Sequence, residues 1–215
     1  MVSNEAAQVL IRGRWAALLA VLGGVMYFLA FPGPGLWPLG FVALVPLIVA
    51  LRGRTPKHAF LLGWLAGFTT TLAGFWWLLA MLRRYSGFPT AVCVLLLALL
   101  SLYQGARMAA TAWLSARATK LGWPEDVSFL VAFLGLEAIF PLLFPWYFGA
   151  VLHNVPVLIQ GADLGGPILV SALLVVINAA ITRIAIALLA KQRPSALNLT
   201  LALGTPLLFL PSSFS

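Results

Sequence analysis

Long apolar runs, broken briefly by charge, proline and glycine, set the pattern of this chain. A helix needs about 20 mostly apolar residues to cross a hydrocarbon core of about 30 Å. Cutting the chain at its breaks predicts seven membrane helices, at about 15–31, 36–51, 59–82, 88–114, 127–150, 164–190 and 196–211. The second and seventh are short. The expected fold class is all-α: one polytopic transmembrane domain over residues 1–215, with a proline-broken elbow before the sixth helix. Arg12 and Arg14 precede the first run as they would in a secretory signal, but no small-x-small cleavage site follows, so the run reads as a retained helix. No internal repeat is visible, and the inverted halves that usually mark a secondary transporter are missing.

Composition agrees with the pattern. A chain of 215 residues that is 62% hydrophobic and 8% charged is excluded as a water-soluble globule. Five acidic residues, two histidines and one cysteine are too few for a disulfide framework or a cysteine-rich zinc module. No phosphate-binding loop, dinucleotide fingerprint, HExxH or CxxC occurs, so neither a metal nor a cofactor is expected. The net charge of +8 raises nucleic acid as a partner, but the basic residues form no stripe or dense block, and nucleic acid is set aside.

The basic residues instead report orientation, because short loops rich in Lys and Arg stay cytoplasmic. An inward N-terminus places nine of them inside: Arg12, Arg14, Arg52, Arg54, Lys57, Arg117, Lys120, Lys191 and Arg193. Only Arg83 and Arg84 fall outside, and seven crossings then send the C-terminus to the far side.

Ionisable groups inside spans are costly and are treated first as functional candidates. Glu137 sits mid-span and calls for protonation or a cationic partner, with Arg107 and Arg183 as the candidates. Each arginine has a rival reading, that it snorkels toward the nearer interface. After Glu137, Pro141 and Pro145 in FPLLFPWYFG each remove a backbone donor and disfavour helix before them. Irregular backbone at membrane depth must be buried by protein or line a cavity, which predicts an elbow there. Trp146 and Tyr147 fall near the outer headgroups, where belt aromatics are common. Beyond them come His153, Gln160 and Asp163, with Asp163 placed to cap the sixth span. His153 has no nucleophile motif near it, Cys93 is a packing residue in an apolar run, and Gly63 with Gly67 marks helix packing.

The order of several motifs resembles the apolipoprotein N-acyltransferases. Leu29-Ala30-Phe31-Pro32 leads to Leu36-Trp37-Pro38-Leu39 and Ala43-Leu44-Val45-Pro46-Leu47; Arg52-Gly53-Arg54 precedes Ala59-Phe60 and Gly63 to Gly67. Glu137, Phe144-Pro145-Trp146, Gly149, Pro156, Gln160, Ala162-Asp163, Gly165, Ser171 and Asn178 follow at similar spacing.

The resemblance implies seven membrane helices, then a nitrilase-like domain outside the cytoplasmic membrane, then a last helix. It implies an enzyme that moves an acyl chain from a glycerophospholipid, through a cysteine, to the N-terminal diacylglyceryl-cysteine of a lipoprotein. The implied partners are a phospholipid acyl donor, a lipoprotein N-terminus and the membrane itself. The implied setting is the bacterial cytoplasmic (inner) membrane. The resemblance covers only the membrane half: the Glu-Lys-Cys catalytic set belongs to the nitrilase-like domain, so no catalytic residue is expected here. The chain then reads as truncated and inactive alone, with a nitrilase-like domain in trans as a possible partner. Candidates for a lipid-substrate pocket are Phe144, Pro145, Trp146, Glu137, Gln160 and Asp163. The competing readings are a lipid or small-solute transporter, with Glu137, Arg107 and Arg183 as its pathway, and a non-catalytic membrane subunit.

Overall fold

A computed structural model describes residues 11–205. Among them every regular element is helical and no strand occurs. Helix α1 runs Gly13–Ala30, and a 3₁₀ turn at Trp37–Phe41 leads to α2, Val45–Leu51. Then come α3 (Pro56–Gly74), α4 (Trp77–Ser86), α5 (Thr90–Lys120) and α6 (Glu125–Ile139). A second 3₁₀ turn, Phe148–Leu152, and the single turn α7, Pro156–Ile159, precede α8 (Ala162–Leu189) and α9 (Ala196–Gly204).

Each predicted run contains helix, but fewer than seven of the described helices are long and apolar enough to cross by themselves. By length and composition α1, α5 and α8 can cross a membrane, and α3 with α4 makes a fourth if a pair bent by 56° is one span. The expectation of seven equated apolar length with helical length. At 1.5 Å per residue, α6 is about 22 Å long and α2 about 10 Å, both short of an about 30 Å core. α6 stops at Ile139 because Pro141 follows, and α2 starts only at Val45, with Pro46 in its first turn. The predicted run 59–82 breaks at Phe75 and Trp76, and Trp77 opens α4 beyond the bend. The predicted seventh run is helical to Gly204, and its part beyond Thr205 lies outside the described residues.

Two packing devices hold the bundle. The first is close approach of α1, α3 and α5 through glycine. A Cβ on Gly67 would stand 2.6 Å from the Gly105 carbonyl oxygen, and one on Gly63 would stand 2.5 Å from that of Met108. Small residues allow this backbone contact, which supplies dispersion where lipid offers no hydrophobic drive. The second device is Asn178 of α8, fully buried at 0% exposed. Its Oδ1 accepts from the Leu44 N–H at 2.9 Å and its Nδ2 donates to the Gly40 carbonyl at 2.9 Å. The chain between the Trp37–Phe41 turn and α2 thereby has backbone partners that an unbroken helix would have supplied itself.

Charged loops gather at one end of the bundle. Arg52 pairs with Glu125 at 3.0 Å, Arg183 pairs with Asp126, and the Arg54 guanidinium donates to the Ile11 carbonyl. The elbow after α6 lies toward the other end, about 22 Å along α6 from Glu125 by helical rise.

Gly67→Val is expected to destabilise the purified chain in detergent by about 1–3 kcal/mol through overpacking, read as a lower thermal unfolding midpoint. Gly135, inside α6, has open space where its Cβ would stand, and Gly135→Ala is expected to raise the midpoint slightly, by the equivalent of up to about 1 kcal/mol.

Candidate functional site

The site is built on a buried ion pair between neighbouring helices. Arg107 of α5 and Glu137 of α6 approach to 3.6 Å, with side chains 5% and 0% exposed. A charge at this depth persists when it is matched and hydrogen-bonded. The guanidinium carbon also lies 4.9 Å from the centre of the Trp146 ring and 5.6 Å from that of Phe133. Arg107 is thus enclosed by a carboxylate and two aromatic faces, each of which favours a cation. Snorkelling, the rival reading for this residue, does not describe it. Arg183 is removed from the candidates for Glu137 because it pairs with Asp126 at the charged end.

The elbow, residues 140–147, and the turn that follows it are held by side chains of three helices. Pro141 and Pro145 have no N–H to satisfy. Of the donors that remain, Phe144 N–H donates to Gln104 Oε1 at 3.1 Å, and Phe148 N–H to Glu137 Oε1 at 2.6 Å. Gly149 N–H donates to Ser171 Oγ at 2.8 Å, and the Tyr103 hydroxyl donates to the Pro141 carbonyl. Gly149 lacks a side chain for a reason: a Cβ there would stand 2.9 Å from the Pro167 carbonyl oxygen. Glu137 therefore has two tasks on one oxygen, balancing Arg107 and receiving the first amide of the Phe148–Leu152 turn.

Aromatic rings carry the elbow inward. Trp146 meets Phe31 edge to face at 4.5 Å and Tyr27 at 5.1 Å, and Tyr27 meets Phe148 at 4.7 Å. Of the two readings open for Trp146, an outward belt residue or a pocket wall, the packing favours the second: its ring turns into the bundle and covers Arg107. Between the ends of α1 and α3 opens a groove of about 500 Å³, lined by Phe28, Phe31, Phe75, Trp76, Trp77 and Trp146 among others. Phe144 borders this region through Phe75, at 5.2 Å between ring centres.

The structure thus brings together Glu137, Phe144, Pro145 and Trp146 of the predicted set, and separates Gln160 and Asp163 from them. Both of these are exposed. Asp163 does not cap α8: the cap position is Gly161, with no side-chain bond, and the helix is interrupted at Gly165 and Gly166. Gly166 has φ +67°, a left-handed value that glycine alone adopts cheaply. His153 is exposed and Cys93 is fully buried. Among the described residues no three His, Cys, Asp or Glu side chains gather to hold a metal.

Two members of the site escaped the sequence reading. Gln104 stands three residues before Arg107 and so shares its helix face, but an uncharged amide within an apolar span gives no electrostatic signal. Tyr27 lies in an apolar run where its ring passes for core.

Arg107→Met is expected to destabilise the chain by about 3–5 kcal/mol, since it leaves Glu137 buried without its counter-charge. The double variant Arg107→Met, Glu137→Leu is expected to unfold later than Arg107→Met alone. Unfolding in detergent of the parent, both single variants and the double variant measures this coupling.

Comparison with known proteins follows the same lines. The apolipoprotein N-acyltransferase N-terminal domain, as a family model, matches residues 23–180. The apolipoprotein N-acyltransferase of Geobacter metallireducens is 33% identical over 171 residues, covering 78% of this chain and 33% of that protein. That of Allorhizobium ampelinum is 31% identical over 222 aligned positions, covering 92% of this chain and 39% of that protein. That of Pseudomonas putida is 31% identical over 169, covering 72% and 32%. The chain spans about a third of the length of these curated relatives. With the domain matched over most of its length, the chain belongs to the apolipoprotein N-acyltransferase family.

Proposed function

We propose that this chain is the lipid-holding membrane half of an apolipoprotein N-acyltransferase. In this reading the enzyme takes an acyl chain from a glycerophospholipid and passes it to the N-terminal diacylglyceryl-cysteine of a lipoprotein. The observation that carries the reading is the apolar groove of about 500 Å³ beside the elbow, in a chain of this family. An apolar groove with one aromatic wall fixed by a buried ion pair suits an acyl chain held for reaction at the outer interface. Holding a substrate in place supplies rate through orientation once a nucleophile is present.

The nucleophile comes from elsewhere in this reading. Cys93 is 0% exposed inside α5, so its thiol meets no substrate, and the proposal assigns the chemistry to a nitrilase-like domain in the same polypeptide or in trans. This membrane half is then inactive alone. Its setting is the bacterial inner membrane, with the N-terminus and the Arg52–Glu125 end cytoplasmic and the elbow toward the outer face. In this reading the chain crosses seven times, the short helices included. The gathering of Arg52, Arg54 and Arg183 at one end supports it.

The transport reading loses its pathway. Arg183 is tied to Asp126, about 16 Å along α6 from Glu137 by helical rise, so the three charges form no continuous line.

Alanine at the position of Trp146 in the full-length Geobacter metallireducens enzyme is expected to lower acyl transfer about tenfold or more while membrane insertion is unchanged. Unaltered transfer removes the groove assignment. For orientation, alkaline phosphatase needs the oxidising side to form its disulfides. Fused after Gly87 it is expected to be active, and fused after Lys120 inactive; the reverse pattern contradicts the topology.

A further inference from the structure

Beneath the elbow, Tyr27, Gln104, Arg107 and Trp146 help to enclose a void of about 10 Å³, about the room of one water-sized group. Each contributes a polar atom outside any hydrogen bond: the Tyr27 hydroxyl, Gln104 Nε2, Trp146 Nε1 and Arg107 Nη1, the last of which faces Glu137 Oε1 at 3.6 Å across the ion pair. Tyr27, Gln104 and Arg107 are 1%, 4% and 4% exposed, so bulk water does not serve them. All four atoms can donate, and only the tyrosine oxygen can also accept. Glu137 Oε2, an unpartnered acceptor of this region, is not part of the lining. Whatever fills the void must bring an acceptor. Thr70 and Trp146 line both the void and the apolar groove, so the void is the polar inner end of that groove.

We infer that the void receives the ester carbonyl oxygen of a glycerophospholipid whose acyl chain lies in the groove. The inference rests on the lipid-holding reading above and adds the atom that is recognised. Size and charge select the carbonyl over the phosphate. The space admits one oxygen rather than four, and the charge of Arg107 is already matched by Glu137 at 3.6 Å. A neutral acceptor satisfies the donors and leaves that balance intact. The carbonyl is also the atom joined directly to the acyl chain, so seating it here sets how far the chain enters the groove. Tyr27, Gln104 and Trp146 are then binding residues for the lipid, with no covalent role.

The test compares two phospholipids on the full chain: a diacyl phosphatidylethanolamine and its dialkyl ether analogue of equal chain length, which lacks only the carbonyls. Native mass spectrometry from detergent gives the affinity of each. The expected result is about tenfold tighter binding of the diester, in line with hydrogen bonds that include a charged donor. Tyr27→Phe removes a hydroxyl with no partner inside the protein, and is expected to narrow the gap about threefold with the ether affinity unchanged; Trp146→Phe is expected to narrow it too. Equal affinities for the two lipids overturn the inference, assign the void to water and leave the groove standing. A preference that survives both variants also overturns it, because the ester is then read elsewhere. Binding of neither lipid overturns the groove reading and this inference with it.

Discussion

A single ion pair, Arg107 with Glu137, is what the candidate site depends on. At 3.6 Å and almost wholly buried, neither charge could remain without the other, because desolvation of a lone ion costs several kcal/mol. The pair does more than cancel itself. Glu137 receives the Phe148 amide, and Arg107 supports the Trp146 ring. The two ends of the elbow's inner surface are thereby tied to α5 and α6. The groove wall exists where it does because these charges cannot move apart.

The same physical rule explains the rest of the irregular backbone. Apolar segments at 36–44 and 140–147 carry prolines and depart from regular α-helix, so their amides need partners that the helix no longer supplies. Helix α8 answers both. Ser171 serves Gly149, and Asn178, two turns further along the same face, serves Leu44 and Gly40. α8 thus acts as a polar spine within an apolar helix, and Gln104 on α5 repeats the device for Phe144. Close glycine contacts between α3 and α5 bring that helix near enough to take part.

Much of this was legible in the sequence, and the limits have physical causes. Prolines at 141 and 145 announced the elbow because the ring removes a donor wherever it stands. The lone Glu137 announced a partner, though the choice between Arg107 and Arg183 required the third dimension. Fewer helices are long enough to cross than there are apolar runs, since an apolar run looks the same whether it is a full helix or a short helix followed by irregular chain, as after Ile139. Asp163 looked like a cap because Asp before glycine often is one, but the chain leaves helical geometry at Gly165 and Gly166, where Gly166 takes a positive φ, and the helix restarts beyond them. Tyr27 and Gln104 were missed because an uncharged polar group in an apolar run gives no electrostatic alarm.

The central claim is that the groove under the elbow holds a lipid acyl chain. The most direct measurement is photolabelling of the full chain, embedded in bilayers, by a phospholipid carrying a diazirine in its acyl chain, with the labelled residues mapped by mass spectrometry. Labels concentrated on Phe31, Phe75 and Trp146, and lost from them in Arg107→Met, are the predicted result. Labels spread evenly over outward-facing residues such as Leu95, Leu99 and Leu18, with none in the groove, contradict the account.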